Sequence, residues 1–339
     1  MIKGNFIMEE LKNIGFYTLS NERAKNSSEF SKMKRCEMII TEYCNFRCPY
    51  CRGLKDIIYG NRRLKQLSFD EVCRNVDYWC EGQPLENIRY SGGEPTLHKN
   101  ICEIINYTKF KGVNRIAIST NGSNNIGLYR ELIELGVNDI SISLDACCAE
   151  DGDKMSGGIK GSWDIVVNNI RELSKLTYVT VGIVLTPDNV QATIDTVYFA
   201  DSLGVADIRV IPSAQWNGKL EALGKLDSDI LEHHPILKYR VKNFMNGLHV
   251  RGIKENDSTY CGLVLDDSVI AGDYHFPCII YMREQGNPIG KVGPDMRRKR
   301  KLWMMNHDTH RDSICKKNCL DVCISYNNKF REFHPEYFG

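Results

Sequence analysis

From residue 36 onward, short apolar runs alternate with amphipathic segments. The runs Glu37–Thr41, Asn87–Ser91, Arg115–Thr120, Asp139–Leu144, Tyr178–Leu185 and Asp207–Ile211 have the length and apolar character of strands. Between them the spacing predicts helices. Ser68 and Glu71 form a capping box that opens one running to about Glu81. Others are expected over 99–111, 125–135, 162–176, 189–203 and 228–246, with Gly112, Gly136 and Gly204 where three of them should stop. Six strand–helix units in succession imply a parallel sheet covered by helices. They are too few to close an eight-stranded barrel, so the expected fold is α/β, a partial (β/α)6 TIM-like barrel.

The polar positions within the strands sharpen that expectation. In Asp139–Asp145, Ile140, Ile142 and Leu144 alternate with Ser141, Ser143 and Asp145. Ala117, Ser119 and Asn121 share one side of the preceding run. A strand with helices over one face is polar on the other only where that face lines a site. In such folds the site lies at the C-terminal strand ends. The stretches after the runs, including Gly92-Gly93-Glu94, Asn121, Asp145 and Gln215, therefore converge on one rim.

The pattern changes near residue 250. Cys261 and Cys278 flank a strand-like pair with a turn at Ala271-Gly272-Asp273, followed by the turn-rich 286–290 and then Cys315, Cys319 and Cys323. Three segments are expected: an N-terminal arm over 1–35, the barrel over 36–250, and a small C-terminal domain over 251–339.

Composition removes some alternatives. Of 339 residues, 42% are apolar and 26% charged, and the formal net charge is +1, so no global field favours nucleic acid or a membrane. The basic run Arg297–Lys301 reads as a solvated helix face, with contact to an anionic substrate as the other reading. No export signal and no apolar stretch of about 18 residues is visible, and the expected location is cytoplasmic. Fourteen cysteines in such a chain point to metal or thiol chemistry rather than disulfides. Cys36, Cys73, Cys80, Cys102, Cys147 and Cys148 read as small buried or half-buried side chains. His233, His234, His307 and His310 read as surface or capping residues.

The remaining cysteines carry the chemistry. Cys44, Cys48 and Cys51 are spaced C-x3-C-x2-C just after the first strand. Three thiolates on one loop can hold three irons of a cubane cluster and leave the fourth open. A structural zinc site would need four closed ligands. This motif, with Tyr90-Ser91-Gly92-Gly93-Glu94-Pro95 after the second strand, resembles the radical S-adenosylmethionine (SAM) superfamily over about residues 36–215. The resemblance implies that Cys44, Cys48 and Cys51 ligate a [4Fe-4S] cluster that binds SAM. It implies further that Gly92, Gly93 and Glu94 hold the SAM amino group, that Tyr50 contacts adenine, and that Ser119, Asn121 and Ser143 contact ribose or carboxylate. One departure stands out: where related enzymes often carry an Arg after the fourth strand, this chain has Asp153-Lys154-Met155-Ser156.

Cys261, Cys278, Cys315, Cys319 and Cys323 resemble the auxiliary-cluster regions called SPASM and twitch, though the tail spacing here is C-x3-C-x3-C. Five cysteines cannot supply eight ligands, so the resemblance implies one auxiliary [4Fe-4S] cluster held by four of the five; a zinc-bound tail is the alternative. The implied activity is reductive SAM cleavage to a 5′-deoxyadenosyl radical and hydrogen abstraction, with a net oxidation assisted by the second cluster. An electron donor such as flavodoxin or ferredoxin is the implied partner. The short arm favours a small-molecule or nucleoside-like substrate, with a ribosomally made peptide as runner-up and a non-catalytic Fe–S or zinc protein as the contrasting class. Asp145, Arg209, Gln215 and Tyr260 are the candidates for substrate contact or proton transfer.

Overall fold

Six parallel strands form at the six expected places. The computed structural model describes residues 11, 16–52, 66–81, 83–214, 216, 218 and 221–337. The strands are β1 (Arg35–Thr41), β2 (Asn87–Gly92), β3 (Arg115–Thr120), β4 (Val137–Ser143), β5 (Tyr178–Leu185) and β6 (Asp207–Pro212), each hydrogen-bonded to the next. One face of this sheet is continuous apolar core: Met38, Ile88, Ile118, Ile140, Val181 and Val210 lie against the helices, each 0% exposed. Removing one such side chain from water contributes roughly 1.5–3 kcal/mol. The alternate residues face inward and carry the polar set.

The covering helices are α2 (Phe69–Cys80), α3 (Ile101–Phe110), α4 (Ile126–Leu135), α6 (Ser162–Leu173) and α7 (Thr193–Ser202). The Ser68–Glu71 capping box forms in both directions. Gly136 ends α4 at φ 129°, where its N–H reaches the carbonyls of Leu132 and Ile133. Two local features depart from expectation. Residues 228–246 form two helices, α8 (Ser228–His233) and α9 (Pro235–Met245). Pro235 bars its predecessor from the helical region, and His234 accordingly sits at φ −124°, ψ 85°. A short helix not read from the pattern, α5 (Ala149–Met155), follows β4. Its interior glycine and polar composition hid it.

The sheet does not stop at the barrel. β7 (Asp267–Ala271) lies parallel against β1, and the hairpin turns at Gly272 into β8 (Tyr274–Phe276), which pairs with β9 (Gly290–Lys291). The result is one open nine-stranded sheet in the order β6-β5-β4-β3-β2-β1-β7-β8-β9. The expected turn at Ala271–Asp273 is thus present, and its hairpin extends the barrel.

The arm is structural. Phe16 packs with Ile236 and Val322 against Tyr178, beside the N-terminal strand ends. α1 (Asn21–Asn26) sets Ala24 against Leu263–Leu265, Tyr326 and Phe330, and Arg23 pairs with buried Asp266 at 2.7 Å.

The basic run is not simply a solvated face. It lies on α11 (Met296–Asn306), where Arg300 is 0% exposed and donates to the carbonyls of Val264, Asp267 and Phe276. Arg297 donates to the carbonyls of Leu265 and Ser28. These two arginines pin the C-terminal segment to the hairpin and the arm; Arg298 stays exposed. Of the six remaining cysteines, Cys36 and Cys80 are buried, and Cys148 is exposed rather than half-buried.

Candidate functional site

β1 delivers the chain directly into the thiol loop. Two residues, Glu42 and Tyr43, separate its end, Thr41, from Cys44. Cys44 and Cys48 are half-buried and Cys51 is exposed. The loop is held locally by Cys51 N–H donating to Cys48 O at 3.0 Å and by Phe46 N–H donating to Cys44 Sγ at 3.4 Å.

Its other supports come from distant parts of the chain. Gly93 N–H donates to Thr41 O at 2.8 Å and Glu94 N–H to Tyr43 O at 2.7 Å. A Cβ at Gly92 would stand 2.1 Å from Thr41 O, and one at Gly93 would stand 2.3 Å from Tyr43 O. The two glycines therefore let the end of β2 close onto the segment that leads into the thiols. Glu94 is 1% exposed, and its carboxylate is fully engaged. Oε1 accepts from Thr96 N–H, Thr96 Oγ1 and Thr120 Oγ1, and Oε2 from Asn121 N–H at 2.6 Å. Burial pushes this carboxyl up, while those donors oppose the shift. Glu94 thus ties the ends of β2 and β3 together.

Asn121 stands over Cys44. Its amide nitrogen lies 4.0 Å from Cys44 Sγ and donates to Asn45 Oδ1 at 2.8 Å, while Asn45 donates to Ser123. Ser119 lies inside the barrel and accepts from Arg89 at 3.0 Å. Ser143 ends β4 and is exposed at the mouth. Tyr50 donates its hydroxyl to Asp145, whose other oxygen accepts from Val184 N–H at 2.7 Å. Burial raises the Asp145 carboxyl to about 6. Gln215 lies outside the described residues. Tyr260 is half-buried beside Cys261, in the cluster with Leu263 and Phe330.

Two supports were not read from the sequence. Ser156 O accepts from Arg47 N–H at 2.8 Å. Gly157, at φ 96°, lies so close to Arg47 that a Cβ would stand 2.6 Å from the Arg47 Cβ. A paired glycine after a polar stretch was the available signal. Lys154, in the place where relatives often carry Arg, points outward and pairs with Glu150 and Asp151.

Cys261, Cys278, Cys315, Cys319 and Cys323 come together from separate elements: Cys278 caps α10 (Ile279–Arg283), Cys315 lies on α12 (Ser313–Asn318) and Cys323 on α13 (Asp321–Phe333). Burial pushes the Cys278 thiol up to about 12. Burial, then the neighbouring thiols, also raise Cys315 and Cys319. Five half-buried thiols gathered from separate elements are a soft donor set, which fits a thiolate-bound metal centre. His307 departs from the surface reading. Its Nε2 lies 3.8 Å from Cys315 Sγ and 3.5 Å from Asp312, and the three donor atoms lie within 4.8 Å of one another. The ion pair Arg52–Glu284 ties the first thiol loop to the segment after Cys278.

The fold and this site define an α/β partial barrel with an open three-thiol loop on its rim. Residues 38–200 match the model of the Radical SAM superfamily. It is 35% identical over 112 residues to GTP 3',8-cyclase of Actinobacillus succinogenes, a match spanning 32% of each chain. It is 34% identical over 147 residues to Fe-coproporphyrin III synthase of Methanosarcina barkeri, covering 42% of this chain and 35% of that protein. The aligned part is therefore about a third of those relatives' length. In fold it is similar to anSMEcpe solved with bound AdoMet and a peptide, at TM-score 0.55 and 14% identity, over 90% of this chain and 97% of that one. Among the described residues no helix is long and apolar enough to cross a membrane.

Proposed function

We propose that this chain is a radical SAM enzyme acting on a small-molecule or nucleoside-like substrate, in a net oxidation assisted by a second iron–sulfur cluster. The observation that carries the reading is the convergence of the Cys44–Cys51 loop, the Gly92–Glu94 turn and Asn121 on one rim. Cys44, Cys48 and Cys51 would hold the [4Fe-4S] cluster, and Gly92, Gly93 and Glu94 would border the SAM amino group. The chemistry supplied by such a cluster is one-electron cleavage of SAM, whose 5′-deoxyadenosyl fragment takes one hydrogen atom from the substrate.

This chain's own contribution is position and exclusion of water. Glu94 keeps β2 and β3 in fixed relation beneath the thiols. The Tyr50 hydroxyl, turned to Asp145, fixes the aromatic ring before Cys51, and Asp145 is near enough to neutral pH in its titration to take up a proton from a substrate. Four of the five C-terminal cysteines would ligate the auxiliary cluster in a SPASM/twitch-like domain, poised to accept an electron. Flavodoxin or ferredoxin fits as electron donor, and a cytoplasmic location fits the unpaired thiols. The names of the GTP-acting relatives support a nucleoside-like substrate. The likeness to a peptide-bound structure over nearly its whole length favours the second reading, a peptide substrate.

Anaerobically reconstituted protein is expected to hold iron at both sites and, once reduced, to convert SAM to 5′-deoxyadenosine. Iron-free protein, or reduced protein that yields none of that product, overturns the proposal.

A further inference from the structure

On the inward face of the barrel, three of four guanidinium groups are paired with carboxylates. Arg35 is matched by Asp267 at 2.8 Å and by Glu37 at 3.3 Å. Arg89 and Arg115 share Asp139, each at 3.0 Å. Arg209, on β6, makes no hydrogen bond or ion pair among the described residues, and its Nε is buried without a partner. Asp207, two residues below it, is engaged with the Ile236 backbone N–H at 2.9 Å. Burial and the charge of Arg89 hold the Arg209 guanidinium below its ordinary range. A desolvated cation without a counter-ion is costly, and proteins keep one where a ligand supplies the missing charge.

The surroundings suit an anion. The strand register sets Ser143, Gly182 and Arg209 side by side on β4, β5 and β6. Gly182 has no side chain, and the nearest atom to a Cβ built there is Ile142 O at 3.8 Å, so the interior is open between Ser143 and Arg209. Buried polar atoms without partners lie below: Thr180 Oγ1 one layer down, and the Tyr178 hydroxyl and Asp139 Oδ1 one layer further. Across the barrel, Ile39, Val269 and Ala271 on β1 and β7 pack with Phe276 and Met282 in an apolar cluster of their own. A molecule entering from the rim meets the Ser143 hydroxyl and the unpaired Arg209 guanidinium side by side.

We propose that Arg209, with Ser143 beside it, binds an oxyanionic group of the substrate, a carboxylate or a phosphate, within the barrel below the SAM rim. This rests on the radical SAM reading and narrows its substrate to an anion. A guanidinium fork takes either group through two parallel hydrogen bonds, which also fixes the orientation of the C–H bond presented to the rim. The carboxylate of SAM itself is the competing source, because Lys154 is turned away from the site.

The test uses the reconstituted holoenzyme with SAM bound. Pyrophosphate, GTP and glutarate serve as probes in titration calorimetry, with guanosine as the uncharged control. At least one oxyanion is expected to bind, with affinity falling at least about tenfold in Arg209→Gln and less in Arg209→Lys. Iron content and SAM affinity are expected to stay as in the parent. If Arg209→Gln does not fold, Arg209→Lys decides through the same ratio of probe to SAM affinity. The proposal is overturned if no oxyanion binds the parent, if the variants bind it equally well, or if SAM affinity falls in step with probe affinity. Loss of iron or of SAM binding in the parent would instead count against the radical SAM reading and is read from separate signals.

Discussion

The two cysteine groups are built in opposite ways. The first three thiols lie within eight residues on one loop, half-exposed, with Cys51 open to solvent. The other five span Cys261 to Cys323, sit on several elements, and are all half-buried with none open to solvent. An open loop suits a metal that exchanges a ligand. A closed pocket suits one that holds charge without exchanging anything. Both are anchored on β1, which leads into the open loop at its C-terminal end and carries β7 along its flank.

The largest effect should come from separating the groups. Replacing Cys44, Cys48 and Cys51 together by Ala is expected to abolish 5′-deoxyadenosine formation while about four irons remain, the number a four-cysteine cluster holds. Cys278→Ser should do the reverse to the iron, stripping the second centre but leaving SAM cleavage measurable. Iron analysis and product assay on both variants check this; loss of all iron from a folded triple variant would refute two independent centres.

A smaller effect is expected at the shared support. Glu94→Ala leaves the donors of Thr96, Thr120 and Asn121 buried without their acceptor. It should cost roughly 3 kcal/mol of stability, measured by denaturant unfolding. Glu94→Gln should cost less but still weaken SAM binding, because its amide nitrogen must face a donor. Unchanged stability in the Ala variant would mean that Glu94 does not tie the strand ends.

Gly157→Ala comes next. Its Cβ would press on Arg47 at a positive φ, 96°. Iron should be lost preferentially from the first site, by a factor of a few, with the buried group unaffected. Equal loss from both sites would remove Gly157 from the account of the loop.

The same contrast explains what was legible in the sequence. All six barrel strands and the open loop were readable because period-two alternation and close cysteine spacing are local signals. The spatial arrangement of the five later cysteines was not, since it depends on α10, α12 and α13 docking on the hairpin. His307 looked isolated for that reason, although Asp312 and Cys315 stand beside it. Arg300 was hidden by the charges flanking it, yet Met296, Arg300 and Met304 recur at helical spacing and are all buried. Arg209 was readable as an inward-facing strand residue. Its lack of a counter-ion emerges only when every neighbouring carboxylate is found paired elsewhere.

The smallest expected effect concerns β6, the wall opposite the hairpin, and it is a pH dependence. Burial raises the Asp207 carboxyl to about 7, although its oxygens accept from Ile236 N–H. In the unfolded chain it titrates near an ordinary value of about 3.9. Below that value both states are protonated and no stability is lost. As pH rises toward about 7 the unfolded state gives up its proton first, so this group's contribution declines through that window and is fully lost above it. Asp207→Asn keeps an acceptor for Ile236 N–H but cannot ionise. Its melting temperature relative to the parent should therefore be higher at pH 8 than at pH 5, by about 1 kcal/mol or more in stability. Arg209, two residues along the strand, should feel the change as well: removing a nearby carboxylate makes its guanidinium a stronger anion site, so pyrophosphate should bind Asp207→Asn at least as tightly as the parent. A melting difference independent of pH would mean that Asp207 is already ionised in the folded protein, and then β6 would supply Arg209 with a counter-ion of its own.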